Sequence, residues 1–239
     1  MRGDHITLIC GIDEAGRGAL IGPMVIAGVV MDSKFEKILR TLGVKDSKKL
    51  TPKRRAELAP RIEELCKSVI VLRVPACKID SYRAKKINLD IIEAMKMAEI
   101  IDVSGANKVF VDSLEATPEK FKRRIEEHMT TDGIEMVVEN YSDETYPVVS
   151  AASVIAKVER DKAIDDIKRK VNFDFGVGYS HDKRTINFVK KLLEEKKQLP
   201  PYVRQSWVTV QVLQEESWQR RLKDFFIKRE KCKGEQYEG

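Results

Sequence analysis

One stretch near the N-terminus limits the folds open to this chain: Gly11-Ile12-Asp13-Glu14-Ala15-Gly16-Arg17-Gly18, set between two apolar runs. The run before it, Ile6-Thr7-Leu8-Ile9-Cys10, has the β-branched and aliphatic character of a buried strand, and Met24 to Met31 reads as a second. The glycines therefore join strand to strand. Phosphate-binding loops of the P-loop and dinucleotide type instead open a helix, whose free amides and dipole hold the anion. A glycine turn with two adjacent acids, Asp13 and Glu14, at a strand end suits a metal site better. Arg17 adds a fixed cation between two glycines.

Beyond this stretch the apolar pattern alternates between strand and helix periods. Phe35 to Leu42 has helical spacing, and Gly43 to Leu50 is a basic loop carrying Lys48 and Lys49. Thr51 and Pro52 are the N-cap and first residue of a helix reaching about Lys67. Val69 to Val74 is a third strand. Asn88 to about Val103 is a helix with Leu89, Ile92, Met95, Ala98 or Glu99, and Ile100 on its inner stripe. Lys108 to Asp112 is a fourth strand, ending in a carboxylate as the first does. Thr117-Pro118-Glu119 caps another helix, and Ile134 to Glu139 is the fifth strand. A turn through Tyr141 to Pro147 leads into a long helix from about Val148 to Lys170 that is rich in small residues, which permit close packing on a sheet. This order predicts an α/β fold, a mixed five-stranded sheet flanked by helices. The expected division is a catalytic domain over 1–171, a substrate-contacting loop and helical C-terminal appendage over 172–227, and a charged, disordered tail over 228–239.

Composition narrows the setting. The net charge of +6 on a chain that is 34% charged is compatible with a polyanionic partner without demanding one. The four cysteines show no CxxC spacing and the three histidines are scattered, so neither zinc nor a disulfide framework is indicated. No apolar run approaches the roughly 20 residues that span a bilayer. The expectation is a soluble monomer in the reducing cytoplasm, with no membrane association.

Asp13, Glu14 and Asp112 sit at predicted strand ends, where functional residues of such folds gather, and Asp143 stands just before the long helix. Alternation places Asp112 on the face opposite Val109 and Val111. Taken singly, Asp143 also reads as a turn-forming or capping acid. Four acids held ionised together require a cation, and oxygen ligands without thiolate or imidazole point to Mg²⁺ or Mn²⁺. Two such ions, roughly 3.5–4 Å apart, clamp the attacking and leaving oxygens of an in-line phosphoryl displacement. From the residues alone the chemistry is that of a metal-dependent phosphodiesterase, and the nucleic acid is left open. Lys48, Lys49 and Lys157 read equally as phosphate contacts or as solvated surface.

GIDEAGRG followed by IGPMVIAGVV, then GVKDSKKLTP, VFVDS, SDETYPVVSAASVIAKVERD and GVGYSHDKRT, resembles the archaeal type of the ribonuclease HII family, related to the catalytic subunit of eukaryotic ribonuclease H2. The resemblance covers about residues 6 to 210. It implies an RNase H-like sheet and endonucleolytic hydrolysis of RNA in RNA·DNA hybrids and at ribonucleotides embedded in duplex DNA. It also implies that Asp13, Glu14, Asp112 and Asp143 bind the metal. By the same resemblance Gly16, Arg17 and Gly18 contact the ribonucleotide 2′-hydroxyl, the group that separates RNA from DNA, and Tyr179 stacks near the ribo-to-deoxyribo junction. Ala19, Asn140-Tyr141 and Lys183 depart from the family's usual proline, His-Lys and proline. Two other classes stay in view: a binding module of the same fold without turnover, and a resolvase-like enzyme acting on all-DNA junctions. The four acids oppose the first; the glycine-arginine-glycine and tyrosine elements oppose the second.

Outside this core, Gln219, Leu222, Phe225 and Phe226 are similar to the sliding-clamp (PCNA) interaction box. At helical spacing the three apolar residues form one patch suited to a groove on the clamp, or to docking on the protein's own core.

Overall fold

The structure is a computed structural model that describes residues 7–44, 50–113, 115–195 and 198–220. Strands β1 (Leu8–Ala15) and β2 (Met24–Asp32) pair antiparallel from Leu8 opposite Asp32 to Ala15 opposite Val25, with the glycine segment 16–23 as their connection. Helices α1 (Glu36–Leu42) and α2 (Pro52–Leu65) follow, and Thr51 caps α2 by accepting the Arg54 N–H at 3.2 Å. Next come β3 (Ser68–Val74), α3 (Ala76–Ala84), α4 (Leu89–Ser104), β4 (Lys108–Asp112), α5 (Pro118–Glu126) and β5 (Glu135–Glu139). The short α6 (Ser142–Thr145), the long α7 (Pro147–Val171), α8 (Lys183–Glu195) and α9 (208–220) complete the described chain. The sheet has the order β3-β2-β1-β4-β5, with β2 antiparallel to both its neighbours and β4 parallel to both β1 and β5. It is therefore the mixed five-stranded sheet that the strand order predicts.

Strand alternation divides the core in two. Ile9, Ala27, Val29, Met31 and Phe110 face α1, α2 and α7, whereas Cys10, Ile12, Ile26, Val109 and Val111 face α3, α4 and α5. A third cluster joins Leu20 and Ile21, Ile164 of α7, and Phe175, Phe188, Leu192, Val203 and Val210 of the C-terminal region. No helix among the described residues is long and apolar enough to cross a membrane.

Four local readings differ from the structure. The first strand extends past Cys10, so Gly11 to Ala15 are strand residues paired with Val29 to Val25 and the turn begins only at Gly16. Helix α3 is not signalled by the sequence, because its apolar periodicity is weak and only Ala76 and Ile79 are buried. In α4, Glu99 is exposed while Glu93, Ala94, Met97 and Ile101 are buried, since α4 is packed by the sheet on one side and by α3 and α5 on others, which blurs a single inner stripe. Thr117 precedes α5 without a capping hydrogen bond from its side chain.

Helix α7 and the sheet meet closely at Gly11. A Cβ there would lie 2.3 Å from the Val148 carbonyl carbon and 2.5 Å from the Val149 nitrogen, so the first turn of α7 rests directly on the β1 backbone. The contact is backbone on backbone and cannot be relieved by a rotamer change. Gly11→Ala should lower stability by about 3 kcal/mol, the upper part of the range for overpacking. In a chain of this size that is a fall in Tm of roughly 6–12 °C by scanning calorimetry. An unchanged Tm would show that α7 is free to shift.

Candidate active site

β1 and β4 run parallel with Ile12 beside Val111, so the residues that follow, Asp13 and Asp112, lie at the same end of the sheet, each still paired on its other side, with Ala27 and Glu139. Alternation turns both to the α7 side, where their exposures are 5% and 6%. The next loop is fixed by Ser142. Its N–H donates to Asp112 Oδ1 at 2.7 Å, and its hydroxyl sits 3.0 Å from both the Val111 and Glu139 carbonyls, tying the ends of β4 and β5 together. Asp143 follows, buried in the first turn of α6, and the Ser150 hydroxyl of α7 donates to its carbonyl.

Helix α7 then runs past the site with four polar residues along one ridge, at spacings of three or four. After Ser150 comes Ser153, whose hydroxyl hydrogen-bonds Asp13. Lys157 donates to Ser153 Oγ at 2.5 Å and places its charge near Asp13. Arg160, 5% exposed, lies under the ring of Tyr179 at 4.4 Å and donates to the Val177 carbonyl. Tyr179 also stacks with His181 at 5.5 Å, and its loop is held from below by Thr185, which accepts the Gly178 N–H at 3.0 Å and donates to Phe175 O at 2.8 Å.

Glu14, on the other face of β1, is partly buried beside α4. Burial pushes its carboxyl well above the ordinary range, and the charges of Asp13, Glu93 and Asp112 push it further against the opposing charge of Arg17. Asp13 is raised by burial and by Asp143, although Lys157, Ser153 and the Glu14 N–H (2.7 Å) favour its ionised form. Asp13 and Asp143, and Glu14 and Asp112, are thus electrostatic neighbours, and all four acids occupy one end of the sheet. Their donor set is wholly carboxylate, with Asp13, Asp112 and Asp143 buried and Glu14 partly so, and mutually repelling, which fits a hard divalent cation. Among the described residues no three Asp, Glu, His or Cys side chains surround a common ion position.

Gly16 begins the turn at φ +82°, and a Cβ there would meet the Pro23 carbonyl at 2.7 Å. Arg17 points to α4, where Glu93 lies 2.8 Å from Nε and Asp90 takes a second contact. Ala19 donates its N–H to Gly16 O at 3.3 Å, a bond that the family's usual proline would lack. Arg204, fully buried, donates to the carbonyls of Gly16, Arg17 and Gly22 from the C-terminal side. Burial lowers its pKa to about 9, which leaves it protonated at neutral pH. A cleft of about 650 Å³ is lined by Glu14, Gly16, Arg17, Gly18, Arg55, Lys157, Arg160 and Tyr179.

The structure therefore brings Asp13, Glu14, Asp112 and Asp143 to one sheet end and Gly16, Arg17, Gly18, Lys157 and Tyr179 to the adjoining cleft. Gln219 is exposed in the last described turn of α9, near the exposed Trp218. Lys48, Lys49, Leu222, Phe225, Phe226 and the tail 228–239 lie outside the described residues. Asp90, Glu93, Ser142, Ser153, Arg160 and Arg204 were not singled out by sequence. Helical spacing from Ser150 to Arg160 carried a signal for two of them; Glu93 and Arg204 had none, being charged residues in positions that pattern assigns to solvent.

The family model described as Ribonuclease HII matches residues 10–210. The ribonuclease HII of Methanothermobacter thermautotrophicus is 42% identical over 205 residues, 85% of this chain and 97% of the relative. Among solved structures, ribonuclease H2 from Pyrococcus horikoshii OT3 superposes with a TM-score of 0.81 at 35% identity, covering 88% of this chain and 99% of that one. A ribonuclease HII from Archaeoglobus fulgidus, solved as a complex with PCNA, gives 0.76 at 42% identity over 84% of this chain and 95% of that one.

Glu93 offers a test of the site's electrostatics. Burial, with Asp90 and Asp13 adding to it, lifts its pKa from 4.5 to about 7 despite Arg17. A raised folded-state pKa means stability that is complete below about 4.5 and lost as pH rises through about 7. In chelator, the Tm of the wild type should fall between about pH 5 and pH 8, and Glu93→Gln should remove part of that fall. Parallel profiles for the two proteins would mean that Glu93 ionises as freely as an exposed acid.

Proposed function

The chain belongs to the ribonuclease HII family and is a ribonuclease H, and from that premise we propose that it cuts RNA·DNA hybrids endonucleolytically and nicks duplex DNA 5′ of embedded ribonucleotides. The observation that carries the reading is the junction of two features: a buried carboxylate set at one sheet end, and beside it a cleft lined by Glu14, the glycine loop and Tyr179. Asp13, Glu14, Asp112 and Asp143 would hold Mg²⁺ or Mn²⁺, two ions in the substrate complex. When bound, the metal supplies Lewis acidity for activating water and for stabilising charge on the phosphoryl oxygens.

The chain's own residues do the rest. Lys157 would present positive charge to the nucleic-acid backbone, as Lys48 would from its loop, while Arg55 is held at the cleft edge by Asp161. The Gly16-Arg17-Gly18 backbone meets the 2′-hydroxyl. Tyr179, supported underneath by Arg160, offers a flat face to a base or sugar at the junction, worth roughly 1–3 kcal/mol if it stacks. Attack by water, not by the 2′-hydroxyl, leaves 3′-hydroxyl and 5′-phosphate ends.

The same reading includes a partner. The exposed Gln219 opens the segment that resembles the clamp box, and the Archaeoglobus relative was solved with PCNA. Engagement of a sliding clamp through Gln219, Leu222, Phe225 and Phe226 would raise the enzyme's local concentration on newly made DNA without altering the active site. The enzyme would act as a cytoplasmic monomer between such encounters.

A labelled duplex with one ribonucleotide, incubated with and without Mg²⁺ or Mn²⁺, tests the activity. Metal-dependent nicking with 3′-hydroxyl ends is expected, and Asp13→Asn and Asp112→Asn should each reduce its rate by about 100-fold or more at unchanged fold. Full activity in either variant, nicking in chelator, or a 2′,3′-cyclic phosphate product would each contradict the assignment.

A further inference from the structure

The C-terminal region holds residues 20–22 by backbone bonds, Leu20 N–H to Gly178 O at 2.8 Å, Gly22 N–H to Tyr202 O at 2.8 Å and Arg204 N–H to Leu20 O at 2.9 Å. It reaches the Gly16 and Arg17 carbonyls through a buried guanidinium. Arg204 spends its donors on one turn: Nη2 to Gly16 O at 2.6 Å, Nη1 to Arg17 O at 2.6 Å and Nε to Gly22 O at 3.2 Å. No carboxylate lies within ion-pair distance of it among the described residues, so these carbonyl dipoles are its counter-charge. Only a planar fork reaches consecutive carbonyls in this way; an ammonium on a flexible stem would reach one or two and leave the rest unpaired.

Arg204 is itself immobilised. Its guanidinium lies 4.8 Å from the centre of the Trp207 ring, which Arg83 of α3 approaches at 5.3 Å. Asp80 of α3 accepts the Gln205 N–H at 2.9 Å, the Ser206 N–H at 3.0 Å and the Ser206 hydroxyl at 2.6 Å. The segment therefore has a rigid seat on α3 from which to hold the loop.

The consequence for the loop follows from peptide geometry. All peptide bonds described are trans, and a trans peptide points its N–H opposite to its C=O. Drawing Gly16 O and Arg17 O toward Arg204 turns the N–H groups of Arg17 and Gly18 away from it. Neither N–H has a protein acceptor among the described residues, and nothing lies within 4 Å of the Cβ position of Gly18. Both residues line the cleft.

We infer that Arg204 is a positioning residue for ribose discrimination, setting through the Gly16 and Arg17 carbonyls the direction in which the loop amides face the substrate. The inference rests on the reading of this loop as the part that meets the 2′-hydroxyl, and adds the side chain that aims it. Arg204 touches neither substrate nor reacting atoms.

The test compares binding to two DNA duplexes, one containing a single ribonucleotide and its all-deoxy counterpart, in Mg²⁺. Each protein carries Asp13→Asn to prevent cutting. The affinity ratio of the two duplexes is the readout, since a general loss of structure lowers both affinities together. Arg204→Gln should bring the ratio down by about tenfold, the worth of a lost hydrogen bond, while affinity for the all-deoxy duplex is kept. Arg204→Lys, which keeps the charge, should show a smaller loss of the ratio, and decides the question if Arg204→Gln does not fold by circular dichroism. A ratio unchanged in the folded variants would overturn the inference and leave Arg204 a packing residue. A ratio of one in the Asp13→Asn parent itself would instead overturn the reading of the glycine loop, and the inference with it.

Discussion

The contact on which the rest of the site depends is the seat of α7 on β1 at Gly11, where backbone meets backbone. It fixes the depth of a 25-residue helix against the sheet. Once that depth is set, helical spacing does the remaining work: Ser150 meets the Asp143 backbone, Ser153 and Lys157 meet Asp13, Arg160 supports Tyr179, and Ile164 enters the C-terminal core. One continuous helix thus connects the carboxylates, the cleft and the region beyond it. A shift of α7 outward by even the size of a methyl group would move all five together.

The second organising factor is the charge at the sheet end. Parallel pairing of β1 and β4 makes the nearness of Asp13 and Asp112 unavoidable, and Ser142 brings Asp143 to the same place. Arg17 is shared between Glu14 and the Glu93 and Asp90 carboxylates of α4, and Lys157 faces Asp13. Folding therefore gathers carboxylates whose pKa values stay raised despite Arg17 and Lys157, and a divalent metal is the chemical species that such a set of oxygens accommodates. The glycine loop lines the cleft together with Lys157 and with Arg55, which Asp161 pairs at 2.9 Å.

Much of this was legible in the chain. Strand-end acids, the face of Asp112, the strand-to-strand glycine turn and the cap at Thr51 all follow from local rules of alternation and capping. What was not legible depends on what tertiary packing places alongside. Glu93 is charged and mid-helix, a position that pattern gives to solvent, yet Arg17 and the site bury it. Arg204 stands in an irregular segment after Pro200-Pro201, with no period to mark it, and its role appears only when the Gly16 turn folds back to meet it. Helix α3 leaves no clear pattern in the sequence because few of its residues face the core.

The central claim, that the buried carboxylates form a divalent-cation site, is tested most directly by titrating Mn²⁺ into the full chain in a calorimeter, in buffers of different ionisation enthalpy. Carboxyls held above their ordinary pKa should release protons as the ion binds, so the account predicts Mn²⁺ binding near neutral pH with proton release, both lost in Asp112→Asn. Binding of equal strength in wild type and variant, or no binding to either, would contradict it.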